Sequence, residues 1–240
     1  VQFILAGNDS EGLQYGTIGT PEKYFLKWKE DADQGWSNVA SAKDGAGATE
    51  DVNTRFKLDK YLLRMCCKER LIELMHDFVL FDGGVKKLPR AHQYFGVKAA
   101  QDHVRQRKSG IIWHTQGSGK SIVMVLLAKW ILENNPNARV VILTDRDELD
   151  KQIEGVFTES GEAIKRTTRG RDLMNQLGQA TPRLLCSLIH KFGRKDVDDF
   201  DAFIKELEAQ PSRTVCELFV FVDECHRTQS GRLHRVMKAM

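Results

Sequence analysis

Residues 114–121 of the chain read HTQGSGKS, and residues 223–226 read DECH. The first string sets Gly119, Lys120 and Ser121 in a Gly-Lys-Ser triplet, with Gly117 two positions before it. Backbone N–H groups at a helix N-terminus can surround a phosphate, while a lysine adds a mobile positive charge. Gly117 and Gly119 let the backbone curl, Lys120 can reach β- and γ-phosphates, and the Ser121 hydroxyl can ligate Mg2+. The usual spacing, G-x-x-x-x-G-K-[ST], calls for a glycine where this chain has His114. In the second string, Asp223 and Glu224 follow the apolar run Leu218–Val222 directly. An acid there can hold Mg2+ through its water shell, and its neighbour can orient and deprotonate an attacking water. Each string alone has a bland reading: a Gly-Ser turn for the first, an acidic helix start for the second. Together they describe the two halves of a nucleoside triphosphate hydrolysis site.

Such a site needs strands that deliver the loop and the acids to one edge of a sheet, and the sequence supplies candidates. Residues 110–114, GIIWH, read as a short strand entering the loop, and Ser121–Asn134 as a helix ending before Pro136. RVVILTD, RLLCSLI and ELFVFVDE read as strands, and DELDKQIEGVF as a helix. Strands alternating with helices predict an α/β fold with a mostly parallel sheet and helices on both faces. The uniformly apolar Leu218–Val222 predicts a strand covered on both faces, and the helix after Lys120, apolar nearly all round, predicts deep burial. In open α/β sheets ligands bind at the carboxyl ends of the strands, where both strings fall.

Upstream of residue 86 the pattern differs. Residues 35–53 are rich in Gly, Ala, Ser and Asp, a linker composition, and Arg55–Leu80 carries the apolar spacing of one or two amphipathic helices. Gly83-Gly84 and Pro89 interrupt that pattern. The reading therefore divides the chain at 1–35, 36–85 and 86–240. A net charge of +3, with 41% apolar and 29% charged residues, leaves any basic surface a local matter. Cys66, Cys67, Cys186, Cys216 and Cys225 form no C-x-x-C pair and read as reduced thiols. No window approaches the ~18 consecutive apolar residues of a membrane span, so a cytoplasmic setting is expected. The chain begins at Val1 and stops at Met240 in a helical pattern, which reads as a piece of a longer protein.

The pairing of TQGSGKS with DECH resembles motifs I and II of the superfamily 2 helicases and translocases (the DEAD/DEAH-like motors). The longer strings IIWHTQGSGKS, AHQYFGVKAAQ, LTDRDELDKQ and VDECHRTQSG resemble the motor (R) subunit of type I restriction–modification enzymes, in which WHTQGSGKS is itself the motif. That resemblance covers residues 55–240; residues 1–30 look like the segment following the family's nuclease domain. It implies a RecA-like P-loop NTPase lobe, preceded by a helical linker and the tail of an upstream domain. It implies ATP and Mg2+ as cofactors, double-stranded DNA as partner, and methylation and specificity subunits alongside. Thr115, Gly117, Ser118, Gly119, Lys120 and Ser121 would form the nucleotide loop, with Ser121 and Asp223 on the metal and Glu224, Asp223 and Lys120 in catalysis.

Arg90 and Gln93 resemble the R-x-x-Q of the superfamily's adenine-reading motif; a Gln amide can both donate to and accept from adenine's N6/N7 edge. Thr144 and Arg146 fall where the family touches the DNA backbone, although Asp145 or Asp147 could equally cap a helix there. Ser187, His190 and Lys191 fall at a second such strand end, and His226 resembles the residue coupling the nucleotide site to the partner lobe. The family's nuclease cluster, D…(E/Q)-x-K, has no match beyond QRK at 106–108, on an apparent helix, so that centre is expected upstream of Val1. A second lobe, with its arginine for the γ-phosphate, is expected beyond Met240, so this piece alone should hydrolyse ATP weakly. Two other readings remain: a different superfamily 2 motor, or a nucleotide-binding module without turnover. The flanks WHTQ and DECHRTQSG weigh against the first, the intact Lys120, Ser121, Asp223 and Glu224 against the second.

Overall fold

The N-terminal hairpin is set by its turn. Asn8 Oδ1 accepts from the Ser10 hydroxyl and the Glu11 N–H, bending the chain between β1 (Ile4–Asn8) and β2 (Gly12–Gly16). With β3 (Leu26–Lys27) these strands make an antiparallel sheet in the order β1-β2-β3. The computed structural model describes residues 3–30, 56–82, 84–144, 153, 157, 163–167, 170–188 and 216–223. The chain divides into two compact units, residues 1–80 with 85–119, and residues 81–84 with 120–240.

In the first unit, the amphipathic pattern after Arg55 folds as two helices, α1 (Lys57–Met65) and α2 (Lys68–Asp77), separated at Cys66 and Cys67. Helix α1 begins at Phe56, whose side chain cannot cap; Asp9 from the hairpin instead accepts from the N–H groups of Lys57 and Leu58. The helix lies so close to the sheet that a Cβ at Gly7 would stand 2.6 Å from Leu58 Cδ1. Two short strands, β4 (Leu80–Asp82), whose last two residues are assigned to the second unit, and β5 (Val85–Lys87), precede α3 (Ala91–Arg105). Helix α3 ends at Gln106, with Arg107 in the left-handed region at φ 55°, so residues 106–108 lie beyond the helix rather than on it.

A buried joint ties these elements together. Trp28, just after β3, donates its indole N–H to Glu30 (3.0 Å), and Arg70 of α2 pairs with the same carboxylate at 2.9 Å. The Arg70 guanidinium lies over the rings of Trp28, Tyr94 and Phe95 at 5.5–5.9 Å, while its buried Nε has no hydrogen-bond partner among the described residues. Tyr15 of β2 packs edge-on against Trp28 and donates its hydroxyl to the Pro89 carbonyl at 2.5 Å, immediately before α3.

In the second unit the sheet is parallel: β7 (Ile164–Thr167), β8 (Leu184–Leu188), β6 (Ala138–Thr144) and β9 (Glu217–Val222), in the spatial order β7-β8-β6-β9. Helix α4 (Lys120–Asn134) precedes β6 and packs on it, burying Val123, Val125, Leu126, Leu127, Ala128, Ile131 and Leu132 as the all-round apolar pattern requires. Helix α5 (Gly170–Leu177) covers one face, where Leu173 and Leu177 meet Val141, Leu143 and Leu185. The alternate row of β6, Val140 and Ile142, is equally buried. Arg183 ends α4 by donating to the carbonyls of Leu132 and Asn135, placing a cation where the helix dipole favours one.

Two sequence expectations change. Residues 110–114 form no strand, and Ile111 and Trp113 are exposed. An apolar run becomes a strand only where a neighbouring strand takes its hydrogen bonds, and none among the described residues pairs with it. Strand β9 is only half-buried, because among the described residues it is an edge strand, paired with β6 alone. Strand β7 and helix α5 went unread, their sequences IKRT and GRDLMNQL having no clear apolar run. The predicted linker, 35–53, and most of the predicted helix DELDKQIEGVF lie outside the described residues. Among the described residues Cys66, Cys67 and Cys216 are free thiols, and no helix is long and apolar enough to cross a membrane.

Candidate nucleotide site

The candidate phosphate loop occupies residues 114–119, with Gly117 at φ 76° and Gly119 at φ 82°. Both angles lie where a side chain is strained, so the two glycines are what this backbone requires. Among the described residues a Cβ at Gly117 would meet nothing within 4 Å, so the glycine serves its backbone angle there. The Ser118 N–H donates to the Thr115 carbonyl at 3.3 Å, closing the turn. Among the described residues the buried Ser118 hydroxyl has no hydrogen-bond partner, which leaves a polar atom a ligand could satisfy. These features suit a bound phosphate chain.

Helix α3 supports the loop from beneath. Its N-cap is Arg90, whose guanidinium has no lone pair to offer, so only half of a capping box forms: Gln93 Oε1 accepts the Arg90 N–H at 2.8 Å. The same side chain, 2% exposed, donates Nε2 to the carbonyls of Ser118 (2.9 Å) and Gly119 (3.2 Å). His92 Nε2 reaches the Ser118 carbonyl as well, at 3.1 Å, so that oxygen accepts twice. Arg90, Gln93, Thr115, Gly117, Ser118 and Gly119 are thus brought together within one unit.

His114, in the position where a glycine is usual, has its own place. Its ring meets His92 edge-on, with centroids 5.1 Å apart and planes at 87°, and sits against Gly96 of α3, where a Cβ would lie 3.2 Å from the imidazole. His92 and Gly96 stand four residues apart on one face of α3. Sequence reasoning singled out neither, because each matters only through a residue about twenty positions away.

In the second unit Lys120 and Ser121 open α4. The carboxyl ends of the parallel strands gather three further candidates: Thr144 closes β6, Ser187 lies near the end of β8 opposite Leu143, and Asp223 follows β9. The Asp223 N–H extends the ladder to the Leu143 carbonyl at 2.9 Å, which fixes the acid at the sheet edge. All three side chains are buried, and among the described residues the Ser187 hydroxyl has no hydrogen-bond partner. Arg146, His190, Lys191, Glu224 and His226 lie outside the described residues, as does Cys225. Among the described residues no group of three or more His, Cys, Asp or Glu could hold a metal ion.

Electrostatics near α3 come from burial. The Tyr94 phenol, buried and donating to Glu73 at 2.7 Å, is pushed above its ordinary range first by desolvation and then by that carboxylate. Burial raises the Tyr15 phenol likewise, against a smaller opposing effect of the Arg90 charge.

Comparison with known proteins adds two findings. The SWI2/SNF2 ATPase family model matches residues 92–240. The chain is also similar to endonuclease subunits of type I restriction enzymes. It is 32% identical, over 96% of its length, to a Methanocaldococcus jannaschii protein named for the MjaIXP enzyme, covering 23% of that protein. It is 31% identical to the HindI subunit of Haemophilus influenzae, over 68% of the chain and 16% of the relative. With the SsaAORF53P subunit of Staphylococcus saprophyticus it shares 25% identity, over 78% of the chain and 20% of the relative. The chain spans about a quarter or less of the length of these curated relatives.

Proposed function

The chain belongs to the SWI2/SNF2 ATPase family, and from that premise we propose that it is the ATP-dependent double-stranded DNA translocase portion of a type I restriction endonuclease R subunit. The observation that carries this reading is the loop itself: two glycines at positive φ, with the carbonyls of Ser118 and Gly119 drawn down onto α3, immediately before the helix that Lys120 opens. Drawing those carbonyls to one side leaves the N–H groups of the trans peptides facing the other, which is what an anion requires. In this reading 86–240 is the first motor lobe, 36–85 a linker, and 1–35 the tail of a nuclease domain whose centre lies upstream.

Thr115, Gly117, Ser118 and Gly119 cradle the phosphates, and Lys120 balances their charge. Ser121 and Asp223 would hold Mg2+, which supplies neutralisation of the phosphate oxygens. Glu224 takes the proton of the attacking water. Gln93, with Arg90 beside it, reads adenine. Both amide hydrogens of Gln93 are committed to loop carbonyls, so its remaining Oε1 lone pair is the group that can accept from the adenine amino group while the loop stays held. Thr144, Ser187, Arg146 and Lys191 are the candidates for contact with the DNA backbone. His226 couples the nucleotide site to a second lobe. Backbone contacts make movement independent of sequence and sensitive to salt. Target choice would then rest with methylation and specificity subunits, and the setting would be the cytoplasm.

The test is DNA-stimulated ATP hydrolysis by the full-length protein, with displacement of a bound third strand reporting translocation. Double-stranded DNA should stimulate both activities, and Lys120→Ala should lower hydrolysis by about 10²–10³-fold, the scale of losing one charged stabiliser in a dry site. Stimulation by RNA alone, or full activity in Lys120→Ala, would sink the reading.

A further inference from the structure

We propose that His92 is a positioning residue of the phosphate loop, holding the Ser118 carbonyl so that the Gly119 N–H is aimed into the anion cradle. The proposal rests on reading residues 114–121 as that cradle. Gln93 alone cannot fix the Ser118–Gly119 peptide, because its two amide hydrogens are divided between two successive carbonyls, at 2.9 Å and 3.2 Å. The Nε2–H of His92 fills the second lone pair of the Ser118 oxygen at 3.1 Å. With two donors on one carbonyl, the peptide plane cannot rotate without breaking both bonds. Because a trans peptide directs C=O and N–H oppositely, the donor side of that plane is held in turn.

A second contact holds the donor. His92 is exposed, and an exposed imidazole would ordinarily sample several rotamers. Its ring instead meets the His114 ring edge-on, and His114 is seated against the α3 backbone at Gly96, one turn beyond His92. Helix, His92, loop carbonyl and His114 thereby close a circuit that begins and ends on α3. His114 is the residue that replaces the usual loop glycine. A loop with glycine there would have no ring to brace His92.

The experiment measures ATP-analogue affinity, KM and kcat for the full-length protein, with thermal unfolding as a control. His92→Leu should weaken nucleotide binding about tenfold, the worth of one hydrogen bond, raising KM with kcat and melting temperature held. His92→Gln keeps an N–H donor at similar reach and should bind as the parent does. Folded His92→Leu with parental affinity overturns the proposal, and so does His92→Gln binding as weakly as His92→Leu. Should His92→Leu fail to fold, His92→Asn replaces it: its shorter amide should lose the tenfold, and binding equal to that of His92→Gln overturns the idea. Lys120→Ala separates the two levels of inference. Loss of binding there with parental affinity in His92→Leu removes only the role of His92, whereas parental affinity in Lys120→Ala removes the phosphate-loop reading and this proposal with it.

Discussion

The two units of the chain are held together by different physics. In the first, small elements meet through polar side chains: Asp9 caps a helix begun 48 residues later, Glu30 pairs with Arg70, and Tyr15 holds the Pro89 carbonyl. In the second, a parallel ladder and a row of apolar residues do the work, with Val140, Val141 and Ile142 fully buried. Directional contacts can hold a loop at one angle, whereas apolar burial is non-directional and gives a rigid platform. The curled loop up to Gly119 falls in the unit of directional contacts, and the acid Asp223 falls on the platform.

The sharpest way to break this contrast is at Arg70. Arg70→Met should destabilise the protein by about 3–5 kcal/mol, because Glu30 is left buried and unpaired, while Arg70→Met with Glu30→Leu should recover most of the loss. Denaturant unfolding checks it, and a double variant as unstable as the single one would refute the pairing. On the platform, Leu143→Ala should cost about 2–5 kcal/mol with no second substitution that restores it, since a cavity has no partner to remove. Gln93→Glu tests the directional side at the loop. The carboxylate still accepts the Arg90 N–H but cannot donate to two carbonyls, so we expect about 1–3 kcal/mol of instability and weaker binding of ATP. If Gln93 also reads the base, Gln93→Ala should erode selectivity for ATP over GTP; equal weakening of both would leave it a purely structural clamp.

The mildest effect concerns pH. Tyr15 and Tyr94 hold their protons more tightly folded than unfolded. Their contribution is whole below about pH 10 and drains away as pH rises past that value, where the unfolded chain gives up its phenol protons first. Circular dichroism should show Tyr94→Phe flattening the alkaline decline.

Much of the platform was legible in the sequence, because its information is local. Val140, Val141, Ile142 and Leu143 announce a buried strand by type alone, and the helix opened by Lys120 is bounded by its loop and by Pro136. The loop glycines were equally plain, since only glycine suits their angles. What escaped was relational. Neither His92 nor Gly96 carries a signal until His114 is folded back onto α3, and Glu30 and Arg70 are unremarkable charges until they are buried together. Residues 111–113 failed in the opposite direction: Ile-Ile-Trp has a strand's composition, but composition does not supply a neighbour to pair with.

Trp113 has a spectroscopic consequence. It is 85% exposed and stands two residues before Thr115, whereas Trp28 is 1% exposed and locked between Glu30 and Arg70. The two indoles should differ in fluorescence, Trp113 emitting at the long-wavelength end typical of water and open to a soluble quencher, Trp28 shielded from it. With Trp36 and Trp130 replaced by Phe, the chain would carry an optical reporter at the root of the 114–119 loop, needing no label, in which a blue shift would record whatever comes to cover that segment.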